Sequence, residues 1–152
     1  VVKGNVAEIK FIGGFGVKGK GVDSFDEEED ATQIIKKIAK KLECVVVATG
    51  KIDIVTDGNT VYKINNGTSK LKSITGTGCM SASLIASYIA CSEKTIEGAT
   101  MGVLTMSLSG ELADINNPKI GTFKVDLMDE VYSLDAEKLN KYAKIEAVID
   151  KK

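Results

Sequence analysis

Thr75-Gly76-Thr77-Gly78-Cys79 carries the residue types best suited to chemistry in this chain. Two glycines one residue apart run into the unbroken small and apolar stretch 80–90, which reads as a buried helix. The first N–H groups of a helix lack intrahelical partners, and the helix dipole favours negative charge at the same end. Gly76 and Gly78 let a ligand approach the backbone more closely than a Cβ would permit. The pattern therefore suits an anion, with phosphate first among them. An ordinary glycine turn is the competing reading of the same residues. Cys79 falls on the first helical turn, where a helix start favours a thiolate. No Lys follows the second glycine, so the motif is not a Walker A loop. Positive charge must then come from a metal ion or from elsewhere in the chain.

A second candidate is Asn5-Val6-Ala7-Glu8, an N-x-x-E pattern that puts Asn5 and Glu8 on the same side of one helical turn. It reads either as a capping box, with Asn at the cap and Glu at the third helical position, or as an oxygen pair beside hydrated magnesium. The sequence leaves both open. A third is Thr49-Gly50, which ends the β-branched run 44–48. In open α/β sheets ligands bind outside the carboxyl ends of strands, so these two residues are well placed. Gly14-Phe15-Gly16-Val17-Lys18-Gly19 matches G-x-G-x-x-G by letter but follows a helix and precedes the acidic run 26–30. It reads as a surface loop rather than a dinucleotide site.

The elements that must position these residues are partly legible. Val1-Val2 reads as the end of a buried strand, with residues 3–5 turning the chain and Asn5 capping a helix over 6–12 that Gly13-Gly14 stops. Residues 31–43 form the clearest amphipathic helix, with Ile34, Ile35, Ile38 and Leu42 inward and Lys36, Lys37, Lys40 and Lys41 toward water. Residues 44–48 suit a central parallel strand, and 52–56 with 60–64 a hairpin around Asp57-Gly58-Asn59. Residues 70–74 lead into the glycine motif. A helix over 95–115 contains Gly98, Gly102 and Gly110, which implies close packing against a neighbour. Residues 121–125 read as a strand, 126–134 and 135–143 as short helices, and 145–149 as a final strand or a tail.

Composition narrows the function classes. The 152 residues suit one domain. A net charge of −1 with no Trp argues against nucleic acid or an anionic membrane as the main partner. No apolar run approaches the ~20 residues that cross a bilayer, and no signal-peptide pattern opens the sequence. His is absent, which removes imidazole acid–base chemistry and most zinc sites. Cys44, Cys79 and Cys91 have no metal-ligand spacing; Cys44 and Cys91 read as small core residues, and a reducing cytoplasm is the expected setting.

Taken in order, residues 3–9, 20–23, 48–53, 56–58 and 75–79 closely resemble hydroxyethylthiazole kinase, a thiamine-salvage family of the ribokinase-like superfamily. Cys79 is the sharper mark, because most superfamily relatives carry Asp there. The resemblance implies a three-layer α/β/α ribokinase-like fold with a mostly parallel central sheet and a β-hairpin. It implies one kinase domain over 1–152, a homotrimer, and ATP- and Mg2+-dependent phosphorylation of the primary alcohol of 4-methyl-5-(2-hydroxyethyl)thiazole. On that reading Gly76 lies against the thiazole alcohol, and Gly76, Thr77, Gly78 and Cys79 form the anion hole. Cys79 takes the place of the catalytic base, and Thr49 and Gly50 lie at the ATP phosphates. Asn5 and Glu8 organise magnesium and its waters. Lys3 stands where the family carries an ATP-contacting Arg; it keeps the charge but not the bidentate fork. The family chain is much longer, so this chain resembles its carboxyl-terminal portion. A non-catalytic nucleotide-binding or assembly fragment, and a kinase of another small alcohol, remain the alternatives, with a thiol sensor built on Cys79 as a weaker one.

Overall fold

A computed structural model describes residues 1–15 and 27–149, in two compact units: the described parts of Val1–Lys63 with Glu146–Lys152, and Ile64–Ile145. Most of the G-x-G-x-x-G match, residues 20–23 and part of the acidic run lie outside the described residues.

The first unit contains β1 (Val2–Asn5), α1 (Val6–Ile12), α2 (Glu27–Leu42), β2 (Val46–Thr49), β3 (Asp53–Thr56), β4 (Thr60–Ile64) and β5 (Ile145–Ile149). The five strands form one sheet in that order. β1 and β2 are parallel, with Gly4 opposite Ala48 and Asn5 opposite Thr49, while β2 and β3 are antiparallel. The sheet is therefore mixed rather than mostly parallel. The reason lies in the connections. β1 and β2 are separated by two helices, whereas β2 reaches β3 through residues 50–52 alone, too few for a crossover. Lys3, Gly4 and Asn5 belong to β1 rather than to a turn. Gly4 is buried, and a Cβ there would come within 2.9 Å of the Glu8 carboxylate, so glycine lets α1 fold back over the strand it leaves.

Helix α2 begins earlier than the apolar spacing suggests and buries Ile35, Ile38 and Ala39 completely against Ile9, Val46, Ala48, Ile54 and Val61. Lys36 departs from the expected outward face: it is buried, at 8% exposure, rather than facing water. Thr32, Ile35, Lys36 and Ala39 are all buried at helical spacing, so the inward stripe is broader than its isoleucines, and a lysine stem can line apolar surface. All four residues of β3 are buried, so neither face of this hairpin strand is open to water. Its link to β4 is held by Asp57 Oδ1, which accepts from the amides of Asn59 and Thr60.

The second unit contains a 3-10 turn (Ser69–Ser73), α3 (Thr77–Ala90), α4 (Thr95–Ala113), α5 (Ile120–Ser133) and α6 (Ala136–Tyr142). α4 packs against α3 and α5 and is buried along most of its length. A Cβ on Gly102 would lie 2.4 Å from Ile85 Cα, and one on Gly98 would lie 2.8 Å from Ile89 Cα. Each glycine costs about 1 kcal/mol of helix propensity, and the return is near backbone contact between α3 and α4. The strand expected at 121–125 is instead part of α5. Phe123 and Leu127 are buried and Val131 is partly so, a four-residue spacing that tertiary packing selects over local strand preference.

Helix α3 is more exposed than its small and apolar residues suggest. It starts at Thr77, and only Ser81 and Ile85 are buried. Cys79, Ala82, Ser83, Ala86, Ser87 and Ala90 are exposed. Small residues make a run look like core without having to be buried. Ser83 and Ser87 donate their hydroxyls back to the carbonyls of Cys79 and Ser83, 3.1 and 3.0 Å away, and need no buried partner. Cys44 packs against the first core, as expected, but Cys91 is exposed.

Candidate active site

In the first unit the structure brings Lys3, Asn5, Glu8, Thr49 and Gly50 to one end of the parallel strand pair. Asn5 and Thr49 are the carboxyl-terminal residues of β1 and β2 and stand opposite each other in register. Asn5 Oδ1 accepts from the Glu8 amide at 2.9 Å, and the Asn5 amide donates to Glu8 Oε2 at 2.7 Å. The N-x-x-E pattern is thus a formed capping box. Thr49 Oγ1 donates to the Gly4 carbonyl at 3.3 Å, tying the two strand ends together. The Gly50 amide donates to Asp53 Oδ1 at 2.9 Å, and a Cβ on Gly50 would come within 3.2 Å of the Ile52 carbonyl. Asp53, at 8% exposure, is a positioning residue that residue types alone do not single out. Its signal is an Asp three residues after a strand-ending glycine, within reach of that amide. An open, largely apolar groove of about 510 Å³ is lined by Lys3, Ala7, Glu8, Phe11 and Ile12. Phe11 and Ile12 are both exposed.

The second unit holds Gly76, Thr77, Gly78 and Cys79 at the start of α3. Gly76 is the N-cap, with φ +99° and ψ −11°, and makes no side-chain cap. A Cβ on Gly76 would find nothing within 4 Å, so glycine is required here by backbone conformation rather than by crowding. The first hydrogen bond of the helix is donated by the Met80 amide to the Gly76 carbonyl, at 2.9 Å. The amides at the preceding turn are the end of the helix that attracts an anion. Thr77 turns its hydroxyl away from that role. Thr77 Oγ1 shares its one proton between the Leu71 and Ile74 carbonyls, at 3.0 and 3.2 Å, and fastens the 3-10 turn to the helix start. Cys79 is exposed on the first turn.

Among the described residues no three His, Cys, Asp or Glu side chains gather as a metal cage. A hydrated magnesium ion needs only one or two protein carboxylates with phosphate oxygens and water. Glu8 meets that requirement: it is exposed, and the capping bond occupies one of its two oxygens. Within the second unit the helix start at Gly76 has the chemistry to take a phosphate, and within the first unit the strand ends at Thr49 and Gly50 have theirs.

The mixed sheet with helices, a parallel strand pair ending in Asn5 and Thr49, and a glycine turn opening α3 define a ribokinase-like α/β chain. The family model described as "HK: Hydroxyethylthiazole kinase family" matches residues 1–137, and the chain belongs to the hydroxyethylthiazole kinase family. It is 73% identical over 146 residues to a hydroxyethylthiazole kinase of Clostridioides difficile (strain 630), covering 96% of this chain and 56% of the relative. A hydroxyethylthiazole kinase of Alkaliphilus oremlandii is 45% identical over 152 residues, covering 97% and 56%. The solved structure of a hydroxyethylthiazole kinase protein from Pyrococcus horikoshii OT3 superposes with a TM-score of 0.84 at 30% identity, covering 96% of this chain and 54% of that one. The chain thus spans about half the length of the relatives it matches.

Proposed function

We propose that this chain serves ATP-dependent phosphorylation of the primary alcohol of 4-methyl-5-(2-hydroxyethyl)thiazole. Family membership supports the reaction class, and the opening of α3 is the single observation that carries the mechanism. There a left-handed glycine presents a helix start beside an exposed thiol. ATP would supply the phosphoryl group, and magnesium would offset the charge on its phosphates.

The chain's own residues supply positioning and charge stabilisation, which dominate transfer through a loose transition state. The backbone from Gly76 to Cys79 holds the charge that develops on the phosphoryl oxygens, and Gly76 lies against the acceptor alcohol. Cys79 takes the alcohol proton at Sγ, an assistance worth at most about 10²–10⁴-fold and less beside phosphate charge. In the first unit, Glu8 and Asn5 would orient a hydrated magnesium ion, Thr49 and Gly50 would take nucleotide phosphate, and Lys3 would add positive charge without a bidentate grip. We also propose a homotrimer working in the cytoplasm.

The test is transfer of γ-phosphate from ATP to the thiazole alcohol by the protein at its natural length. Magnesium-dependent formation of the thiazole phosphate is the expected result. ATP binding with no transfer to this alcohol, under conditions where a relative is active, overturns the proposal.

A further inference from the structure

Glu111 and Asp114 lie in and just after the last turn of α4, the end at which the helix dipole disfavours negative charge. Each carboxylate is instead engaged by the segment leading to the glycine turn. Glu111 Oε2 accepts from Asn66 Nδ2 at 3.0 Å and from the Gly67 amide at 3.2 Å, while Lys144 Nζ pairs with Glu111 Oε1. Asp114 Oδ2 accepts from the Thr68 hydroxyl, and Asp114 Oδ1 accepts from Lys70 Nζ at 2.6 Å. Lys70 also donates to Asn117 Oδ1 at 2.7 Å and to the Pro118 carbonyl at 2.8 Å. A lysine ammonium has three N–H donors, and these three oxygens account for all of them. The ammonium lies 5.9 Å from the centre of the fully buried Phe123 ring. Asn117 stands at φ +47°, a conformation that L residues seldom adopt, and its side chain is held by the same ammonium.

The tie continues to the helix start. Leu71 packs on Gly110, where a Cβ would approach Leu71 Cδ1 to 2.9 Å, and the Leu71 carbonyl accepts from Thr77 Oγ1. One uninterrupted chain of contacts thus runs from the end of α4 through Lys70 and Leu71 to the first residue of α3.

We infer that Lys70 and Asp114 are positioning residues for the phosphoryl-holding turn, acting through Leu71 and Thr77 rather than by touching substrate. The inference rests on the kinase reading above for what the turn does, and on geometry alone for what holds it. The clamp fixes the 3-10 turn on α4, and the Thr77 hydroxyl transmits that position to Gly76–Cys79.

The test uses Lys70→Met, which keeps an unbranched apolar stem but removes the ammonium, and Asp114→Asn, which keeps a similar shape. Lys94→Met, which breaks an exposed pair with Glu97 in the same unit, is the control. Amide hydrogen exchange is followed over 74–80 and over 100–110. Both clamp variants should exchange about tenfold faster over 74–80 with 100–110 unchanged, and the control should change neither. Turnover should fall about tenfold to hundredfold in both clamp variants, with KM for the thiazole alcohol kept within about twofold. Unchanged exchange over 74–80 in both variants overturns the inference, as does a loosened turn with undiminished turnover. Exchange that rises equally over 74–80 and 100–110 also overturns it, because the pair would then be a general brace. A parent protein that exchanges as expected but transfers no phosphate counts against the kinase reading alone, since the exchange comparison does not depend on it.

Discussion

The strand ends of β1 and β2 and the start of α3 carry their candidate chemistry in opposite ways. At the strand ends the candidate groups are mostly side chains already engaged in the fold: Asn5 and Glu8 cap α1, and Thr49 ties β2 to β1. At the start of α3 the candidate groups are backbone amides, and the side chain of Thr77 is spent on holding the turn. The difference teaches where function can be separated from stability. At the strand ends a substitution tests both at once unless it preserves the local bond. At the helix start the conformation of one glycine governs both, while Cys79 can be altered with little structural effect because it is exposed.

The largest expected effect follows from Gly76. Its φ of +99° is hostile to any L side chain and most of all to a β-branched one, although no neighbour would clash. Gly76→Val should lower turnover by about a hundredfold or more, the scale of losing one aligned donor to a transition-state oxyanion. The accompanying stability loss should be about 1–3 kcal/mol in denaturant unfolding. Near-normal turnover in that variant would break the comparison, because the helix start would not depend on its backbone geometry.

Cys79 comes next. Cys79→Ala should slow turnover about tenfold to hundredfold without abolishing it, since the amides remain, and Cys79→Asp should retain activity. A normally folded Cys79→Asp protein with unchanged ATP affinity and no activity would remove the thiol from the role of base. Glu8 then separates cap from metal ligand. Glu8→Gln preserves an oxygen for the Asn5 amide and should leave stability unchanged while raising the magnesium concentration for half-maximal activity several-fold. Glu8→Ala should also cost about 0.5–1 kcal/mol through the lost cap. A Glu8→Gln protein with the parent's magnesium dependence reduces Glu8 to a capping residue.

Much of this was readable from residue types because the deciding physics is local. A cap three residues from a carboxylate, a β-branched run ended by Thr49-Gly50, and a G-T-G junction each act within a few residues of themselves. What was not readable depended on partners distant in sequence. Residues 121–125 alternate like a strand, yet Phe123 and Leu127 are recruited by α4 at helical spacing. Lys36 looked solvated because nothing in its vicinity says how wide the inward stripe of α2 is. Residues 80–90 looked buried because small residues are permissive of contact without requiring it. The Lys70–Asp114 pair, 44 positions apart, leaves no local mark at all.

The smallest effect concerns acid. The bond from Lys70, then that from Thr68, hold the Asp114 carboxyl below its ordinary range. Burial pushes the Glu111 carboxyl up, but the bonds from Lys144, the Gly67 amide and Asn66 together outweigh burial and leave it lowered. A carboxyl whose titration is depressed by folding stabilises the native state fully above its unfolded value, and that contribution is lost as pH falls through the depressed value. Around neutral pH the stability of this unit should therefore be insensitive to these two groups. Asp114→Asn cannot take up that proton. Its deficit relative to the parent should be largest above about pH 5 and close progressively toward about pH 2. Both groups lie near the surface, where screening weakens such pairs, so the closing gap should shrink further in high salt. A deficit that stays constant across that acid range would mean that Asp114 acts by shape alone, and the helix start would then owe its position to Leu71 and Gly110 rather than to charge.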